Sequence, residues 1–371
     1  MEFLAKKSEL LRELSLAQAV VEKKTTIPIL SNLLLEVADG HVRLSATDLE
    51  LAVSSTCPAK VKKDGSGTVP ARRLADIVRS LPEADIRFKM LENHWMQVTC
   101  ERSSFKLVGM ARDTYPALPP VPAALASVPS AALATLIRRT AFAVATEESR
   151  YTLNGALLVL KPEMASMVAT DGHRLALIER DVRVDGVSNE LRLLVPRKAM
   201  SELEKLLSEG VDDAVVEISK DETHLFFSLG DRVLISRLLA GQFPNYEAVL
   251  PKETKRTAEM EKEPFTAALR RVALLADERS HAIRLQLDKG RLELFSTSSE
   301  YGEAHEAIDA NYAGEPLEIG FNYQYLLDFL GALGEGGKIR LELQDEQSAG
   351  QLRPVGDEGS RYRYVVMPMR I

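Results

Sequence analysis

Cysteine is almost missing from this chain: Cys57 and Cys100 are the only two among 371 residues, and they are far apart. Without a metal or redox spacing they argue against a zinc site or a thiol oxidoreductase, and they fit a reducing cytoplasm. Long hydrophobic runs are missing too, so no membrane-spanning helix is expected. The opening Met1-Glu2-Phe3-Leu4-Ala5-Lys6-Lys7 lacks the basic-then-apolar order of a secretory signal. No glycine-rich phosphate loop appears, and the six histidines (His41, His94, His173, His224, His281 and His305) show no ligand spacing. Asp171 and His173 stand two residues apart, but no third ligand or nucleophile accompanies them, so catalysis is not expected. Excess positive charge is also absent: the net charge is −7 and the isoelectric point about 5.6. Read as one undivided surface, that argues against a nucleic-acid binder. A divided surface escapes the argument, because the local field on one face can steer a polyanion whatever the total charge.

What the chain has in abundance is internal repetition. Leu74, Ile77, Val78 and Leu81 follow the i, i+3, i+4, i+7 spacing of an amphipathic helix. About 126 residues on come Met200, Leu203, Glu204 and Leu207, and after the same step Leu326, Phe329, Leu330 and Leu333. All but Glu204 are apolar in one fixed register. Ala46-Thr47-Asp48 returns as Ala169-Thr170-Asp171 and more weakly as Ser296-Thr297-Ser298; Tyr115-Pro116 returns as Phe243-Pro244, with Met367-Pro368 near the third end. A fixed period of this kind identifies a repeat architecture. Each copy is expected to open with a helix, on Leu10, Leu14, Ala17 and Val21, on Leu133, Ile137, Thr140 and Val144, and on Phe265, Leu269, Val272 and Ala276. Alternating stretches such as Leu33–Val37 and Ile339–Leu343, with turn chemistry at Asp39-Gly40 and Asp288-Lys289-Gly290, read as antiparallel strands. The fold expected is α+β: three tandem domains of two helices plus antiparallel sheets, over residues 1–121, 122–251 and 252–371. Pro-rich joints near Pro116–Pro122 and Pro251–Thr254 separate them.

The repeats also organise the charge. Helical geometry projects Arg138 and Arg139, and at matching phases Arg270 and Arg271, away from the core, with Arg12 opposite the first apolar stripe. The second helices add Arg72, Arg73 and Arg79, then Arg197, Lys198 and Lys205; the third copy has Gln324 and Gly331 instead. One such face is an ordinary solvated surface. Recurrence in an acidic protein suggests a shared positive surface for phosphates, which carries affinity without sequence information.

Several segments resemble the β subunit of bacterial DNA polymerase III, the sliding-clamp family, from end to end. They are Thr26–Leu35, Ala46–Glu50, Arg150–Gly155, Ala169–Ala176, Phe243-Pro244-Asn245-Tyr246 and Tyr364–Ile371. The resemblance implies a head-to-tail homodimer of three-domain subunits, a ring around duplex DNA that slides along it. Such a ring tethers the replicative polymerase and other replication and repair proteins, without catalysis or cofactor. It implies DNA contacts at Lys24, Arg72, Arg73, Arg150, Tyr151, Arg197 and Lys198. It implies a groove for short partner motifs of polymerases and the clamp loader, at Thr170, Gly172, His173, Arg174, Leu175, Pro244, Val249, Val366, Met367, Pro368, Met369 and Arg370. In it Arg174, Arg370 and Gly172 would fix a peptide's backbone or carboxylates. It implies a dimer contact through Arg73, Phe105, Leu107, Leu274 and Leu275. Lys24 and Thr152 depart from residues common in the family, and Ala248 stands where some members place an arginine. Location would be cytoplasmic, on the nucleoid during replication. The competing reading is a repeat scaffold that works without DNA.

Overall fold

The computed structural model describes residues 1–21, 25–147, 150–208, 214–356 and 359–370. By contacts the chain forms two compact units, Met1–Ala131 with Lys198–Leu238 and Ala132–Arg197 with Leu239–Ile371. All three cuts fall inside the second repeat.

In the first unit the helix Lys7–Val20 buries Leu10, Leu14 and Ala17 on one face, as its 3.6-residue spacing requires. The helix Ala71–Ser80 buries Leu74 and Val78. A five-stranded sheet runs in the order Lys60–Lys63, Glu2–Lys6, Asp85–Met90, Trp95–Cys100, Ser103–Val108. An eight-stranded sheet runs Ala126–Pro129, Val215–Lys220, His224–Leu229, Arg232–Arg237, Leu51–Pro58, His41–Thr47, Asn32–Ala38, Gly65–Pro70. Its first four strands belong to the second repeat and its last four to the first. They join where Ser236 pairs with Leu51 and Val233 with Ser54.

The second unit repeats the plan. Its eight-stranded sheet runs Leu191–Pro196, Gly155–Lys161, Met164–Thr170, Arg174–Asp181, Ser360–Val366, Gly350–Val355, Lys338–Leu343, Arg256–Glu261. Here the second and third repeats join, from Arg174 opposite Val366 to Arg180 opposite Ser360. A four-stranded sheet runs Gly302–Asp309, Arg291–Ser298, Ala282–Asp288, Leu317–Asn322. The helices Lys262–Val272 and Tyr323–Ala332 bury Phe265 and Leu269, and Leu326, Phe329 and Leu330.

One expectation is corrected. Each repeat opens with a short strand rather than a helix: Glu2–Lys6, Ala126–Pro129 and Arg256–Glu261 run straight into the helices that follow. Strands of four to six residues show too little alternation to be read, and the strong helical pattern behind them masks them. Cys57 and Cys100 are free thiols, both buried, and burial pushes the Cys57 thiol up to about 12. Among the described residues no helix is long and apolar enough to cross a membrane, and no cluster could hold a metal ion.

Candidate functional site: a groove and two sets of cations

The second unit carries a cavity of about 150 Å³ at the joint of its larger sheet. Its floor is Leu175 and Val365, 2% and 1% exposed, neighbours across the two joined strands. They belong to an apolar layer with Leu157, Val159, Val168 and Leu177, against which Phe243, Tyr246 and Leu250 pack. Strand Gly155–Lys161 is therefore buried on both faces, which accounts for its unbroken run Ala-Leu-Leu-Val-Leu. The cavity stays open where Val249 and Met367, 48% and 44% exposed, stand at its rim.

One wall is a tight turn at Thr170–Arg174. The Thr170 hydroxyl donates to the Arg174 carbonyl (2.6 Å) and accepts from the Gly172 N–H (3.1 Å). Asp171 Oδ1 accepts from the N–H groups of His173 and Arg174, at 2.9 and 3.0 Å. Gly172 has φ +90°, which glycine adopts without strain, and a Cβ there would lie 2.8 Å from the end of the Arg150 side chain, at Nη1. The first repeat builds the same turn on Thr47 and Asp48, but with Leu49 at φ 79° in the glycine's place. Asp171 does not engage His173 as a catalytic pair: its carboxylate holds the turn, and its second oxygen takes the Arg174 Nε–H at 3.0 Å.

Eight of the twelve expected groove residues line this cavity: Thr170, Gly172, His173, Arg174, Leu175, Pro244, Val249 and Met367. Leu153, Asn245, Tyr246 and Val365 line it as well and were not expected. Val366 does not, because alternation along strand Ser360–Val366 turns it to the opposite face, where it is fully buried. Period two, applied to the last strand, would have selected Val365 and Met367. Pro368, Met369 and Arg370 also lie outside the lining; the Met369 N–H is bound to the Gly320 carbonyl at 2.8 Å, and Arg370 is exposed. Arg174 lines the cavity with bonds already made to its own surroundings. Its guanidinium is spoken for by Asp171, by Asp328 Oδ2 (2.6 Å) and by the Phe142 carbonyl (2.6 Å), and it lies 4.4 Å from the Tyr325 ring centroid. Burial works against its charge, but Tyr364, Asp328 and Asp171 outweigh that and hold its pKa above the ordinary arginine value.

The expected DNA contacts fall in both units. In the first, Arg72 and Arg73 occupy the opening turn of Ala71–Ser80, which has no acidic residue and no side-chain cap. Arg72 is half-buried and donates to the Val21 carbonyl at 3.4 Å; Arg73 is exposed. Lys198 contacts Asp48, with Glu50 at 3.9 Å. In the second unit Arg197 is exposed, Tyr151 is 71% exposed, and Arg150 donates to the Asp171 carbonyl (2.6 Å) beside Glu147 (3.4 Å). Lys24 lies outside the described residues. Cations in the first turn oppose the helix dipole, so Arg72-Arg73 and Arg197-Lys198 do not serve helix stability. Other basic positions are locally balanced. Arg79 pairs with Asp76, Lys205 with Glu202 and Arg271 with Glu306, while Arg139 stacks on the Tyr362 ring, 5.3 Å to its centroid, instead of projecting freely.

The expected dimer residues are also exposed or half-buried. Phe105 and Leu107 sit half-buried on the edge strand Ser103–Val108, and Leu274 is 78% exposed beside the half-buried Leu275.

Three models of the DNA polymerase III beta subunit match the chain in order: the N-terminal domain at residues 1–119, the central domain at 127–245 and the C-terminal domain at 247–370. The beta sliding clamp of Pseudomonas aeruginosa is 37% identical over 373 residues, covering all of both chains. A crystal structure of the DNA polymerase III subunit beta from the same organism, 36% identical, superposes over the full length of both chains with a TM-score of 0.93. A sliding clamp from Bartonella birtlesii bound to griselimycin, 35% identical, matches as completely, also at 0.93. The chain belongs to the DNA polymerase III beta subunit family, the beta sliding clamps.

Proposed function

We propose that this DNA sliding clamp works as a head-to-tail homodimeric ring that encircles duplex DNA, without catalysing a reaction, and tethers the replicative polymerase through the groove of its second unit. The observation that carries this reading is the pattern of sheet edges. Repeat one is joined to repeat two, and repeat two to repeat three, by antiparallel pairing of half-sheet edges. Among the described residues the same kind of edge remains open twice, at Ser103–Val108 of the first repeat and Gly302–Asp309 of the third. Open edges seek partners. Joining the third repeat of one copy to the first of another, twice over, extends the internal pattern into a closed cycle of six repeats, with domains bounded near 1–121, 122–251 and 252–371.

In this ring the first-turn cations Arg72, Arg73, Arg197 and Lys198, with Arg150, Tyr151 and Lys24, meet phosphates without reading bases. Replacing Arg72 and Arg73 by alanine is expected to flatten the log K against log salt slope by about 1.8, at about 0.9 per phosphate contact. Fluorescence anisotropy on a labelled duplex measures it. An unchanged slope would remove both residues from the DNA surface.

Topology, not contact strength, then keeps the ring in place, and a polymerase held by the groove rebinds at high effective concentration. Loading requires an opener, the clamp loader, acting in the cytoplasm where the DNA is copied. The groove suits several partners, since Met367 offers an adaptable apolar rim beside Val249. After loading, retention at high salt on nicked circles with loss from linear DNA is the expected outcome. Equal, salt-sensitive loss from both by a competently loaded protein would leave the DNA-independent scaffold as the better account.

A further inference from the structure

The groove's turn is tied from below to a helix of the third repeat, and we propose that Asp328 on that helix is the positioning residue that sets the groove's shape, acting through Arg174. This inference rests on the reading of the cavity as a binding groove. Asp328 does not line the cavity. Its Oδ2 accepts from Arg174 Nη1 at 2.6 Å, while its Oδ1 accepts from Gln324 Nε2 at 2.8 Å, four residues earlier on the same helix. Gln324 in turn donates its backbone N–H to Asn322 Oδ1, the helix cap, at 2.9 Å. The carboxylate is thereby fixed relative to the helix before it meets the arginine.

Arg174 carries that fixation upward. Its side chain is 10% exposed, so its N–H groups need partners, and three of these come from three different segments. Nε–H goes to Asp171 in the groove's turn, Nη2–H to the Phe142 carbonyl, and Nη1–H to Asp328. The planar fork has one orientation that serves all three, and the Tyr325 ring from the same helix stacks on its face. Asp171 gives its Oδ1 to the His173 and Arg174 backbone N–H groups and its Oδ2 to Nε, and the bond from Nη1 goes to Asp328 on the other element. Replacing the Asp328 carboxylate by an amide leaves one oxygen for two donors, Arg174 Nη1 and Gln324 Nε2, so the charge and one bond are lost and the guanidinium is held less firmly.

Two walls hang on this arrangement. The turn supplies Thr170, Gly172, His173 and Arg174, and the carbonyl of His173 accepts the Met367 N–H at 2.9 Å, which fixes the opposite rim. A displaced Arg174 therefore moves both sides of the groove without altering any other lining side chain. Nothing in the sequence pattern singles out Asp328 except that it is the lone charge on the apolar helix Tyr-Gln-Tyr-Leu-Leu-Asp-Phe-Leu-Gly-Ala.

The experiment is titration calorimetry of the full-length protein with griselimycin, for the wild type, Asp328→Asn, Asp328→Glu, Arg174→Lys and the double variant Asp328→Asn/Arg174→Lys. Thermal melting is recorded alongside, and Val249→Asp marks the groove. The expected result is at least a tenfold weaker Kd for Asp328→Asn, comparable weakening for Arg174→Lys, no further loss in the double variant, and partial recovery with Asp328→Glu. Equal affinity of wild type and Asp328→Asn overturns the inference alone. So does a lowered melting temperature with unchanged Kd, which is the signature of a merely structural pair. Additive losses in the double variant overturn it too, because Asp328 would then act independently of Arg174. Wild-type binding that is absent, or insensitive to Val249→Asp, instead sinks the groove reading on which the inference stands.

Discussion

Replacing Glu13 by alanine is expected to cost the first unit about 3–5 kcal/mol, the range for breaking one partner out of a buried ion pair. Glu13 is 7% exposed and Arg232 8%. The arginine grips the carboxylate with both sides of its fork, Nε to Oε2 at 3.0 Å and Nη2 to Oε1 at 2.6 Å. Glu13 stands on the buried face of helix Lys7–Val20 among Leu10, Leu14 and Ala17, while Arg232 opens the strand through which the second repeat joins the shared sheet. The substitution removes the carboxylate that a buried guanidinium grips with two of its N–H groups. It also leaves a cavity at the joint. Urea unfolding followed by circular dichroism measures the loss in the first transition, since a chain of several domains need not unfold in one step. Labelling of Cys57 gives a local reading: burial, with Glu9 and Glu13 behind it, raises that thiol, so it stays protonated and protected at neutral pH until the joint loosens. The paired replacement Glu13→Leu with Arg232→Met is expected to recover most of the stability, because both halves of this pair are then removed together. A single Glu13→Ala variant within 1 kcal/mol of the wild type would mean that water already satisfies this pair.

That pair shows where reading the sequence stops. Helical spacing located the core faces well: Leu10, Leu14, Ala17, Leu133, Ile137, Thr140, Phe265, Leu269 and Val272 are all buried. Periodicity is a local property and survives without the rest of the chain. Glu13 lies at an apolar phase of the same stripe, yet its partner is 219 residues away and no local pattern points to it. Arg139 fails in the opposite sense, for its helix projects it outward and a ring from strand Ser360–Val366 comes to meet it. The groove was legible through its turn, because Ala-Thr-Asp followed by Gly-His-Arg fixes a local hydrogen-bond pattern. Leu153, Tyr246 and Val365 reach it from separate segments, and Asp328 supports it from a helix 154 residues away from Arg174. Local chemistry can be read from neighbours in sequence; joints between repeats cannot.

The joint between copies is where the second large effect is expected: Leu274→Asp alone should turn the dimer into monomers at micromolar concentration. Leu274 is 78% exposed, which an isolated subunit gains nothing from, and it follows the helix Lys262–Val272 in the short turn Ala273–Leu275. The opposing edge strand offers Phe105 and Leu107, half-buried against Val98 and Met96 and left with one open side. Its exposed Lys106 faces solvent, while the other open edge carries the exposed Glu303 and Asp309, so the two edges are also complementary in charge. A head-to-tail ring of two copies contains this contact twice, so one substitution per chain is counted twice in the dimer. At about 2 kcal/mol or more for a central apolar contact, the loss is at least about 4 kcal/mol, roughly a thousandfold in the dimer Kd. Analytical ultracentrifugation across nanomolar to micromolar protein reads the shift directly. Because the groove lies within the second unit, the monomer should bind griselimycin with unchanged affinity while losing its retention on circular DNA. A dimer that survives Leu274→Asp at nanomolar concentration would place the ring's closing contact elsewhere on the surface. A monomer that also loses griselimycin would show instead that the groove depends on the second copy.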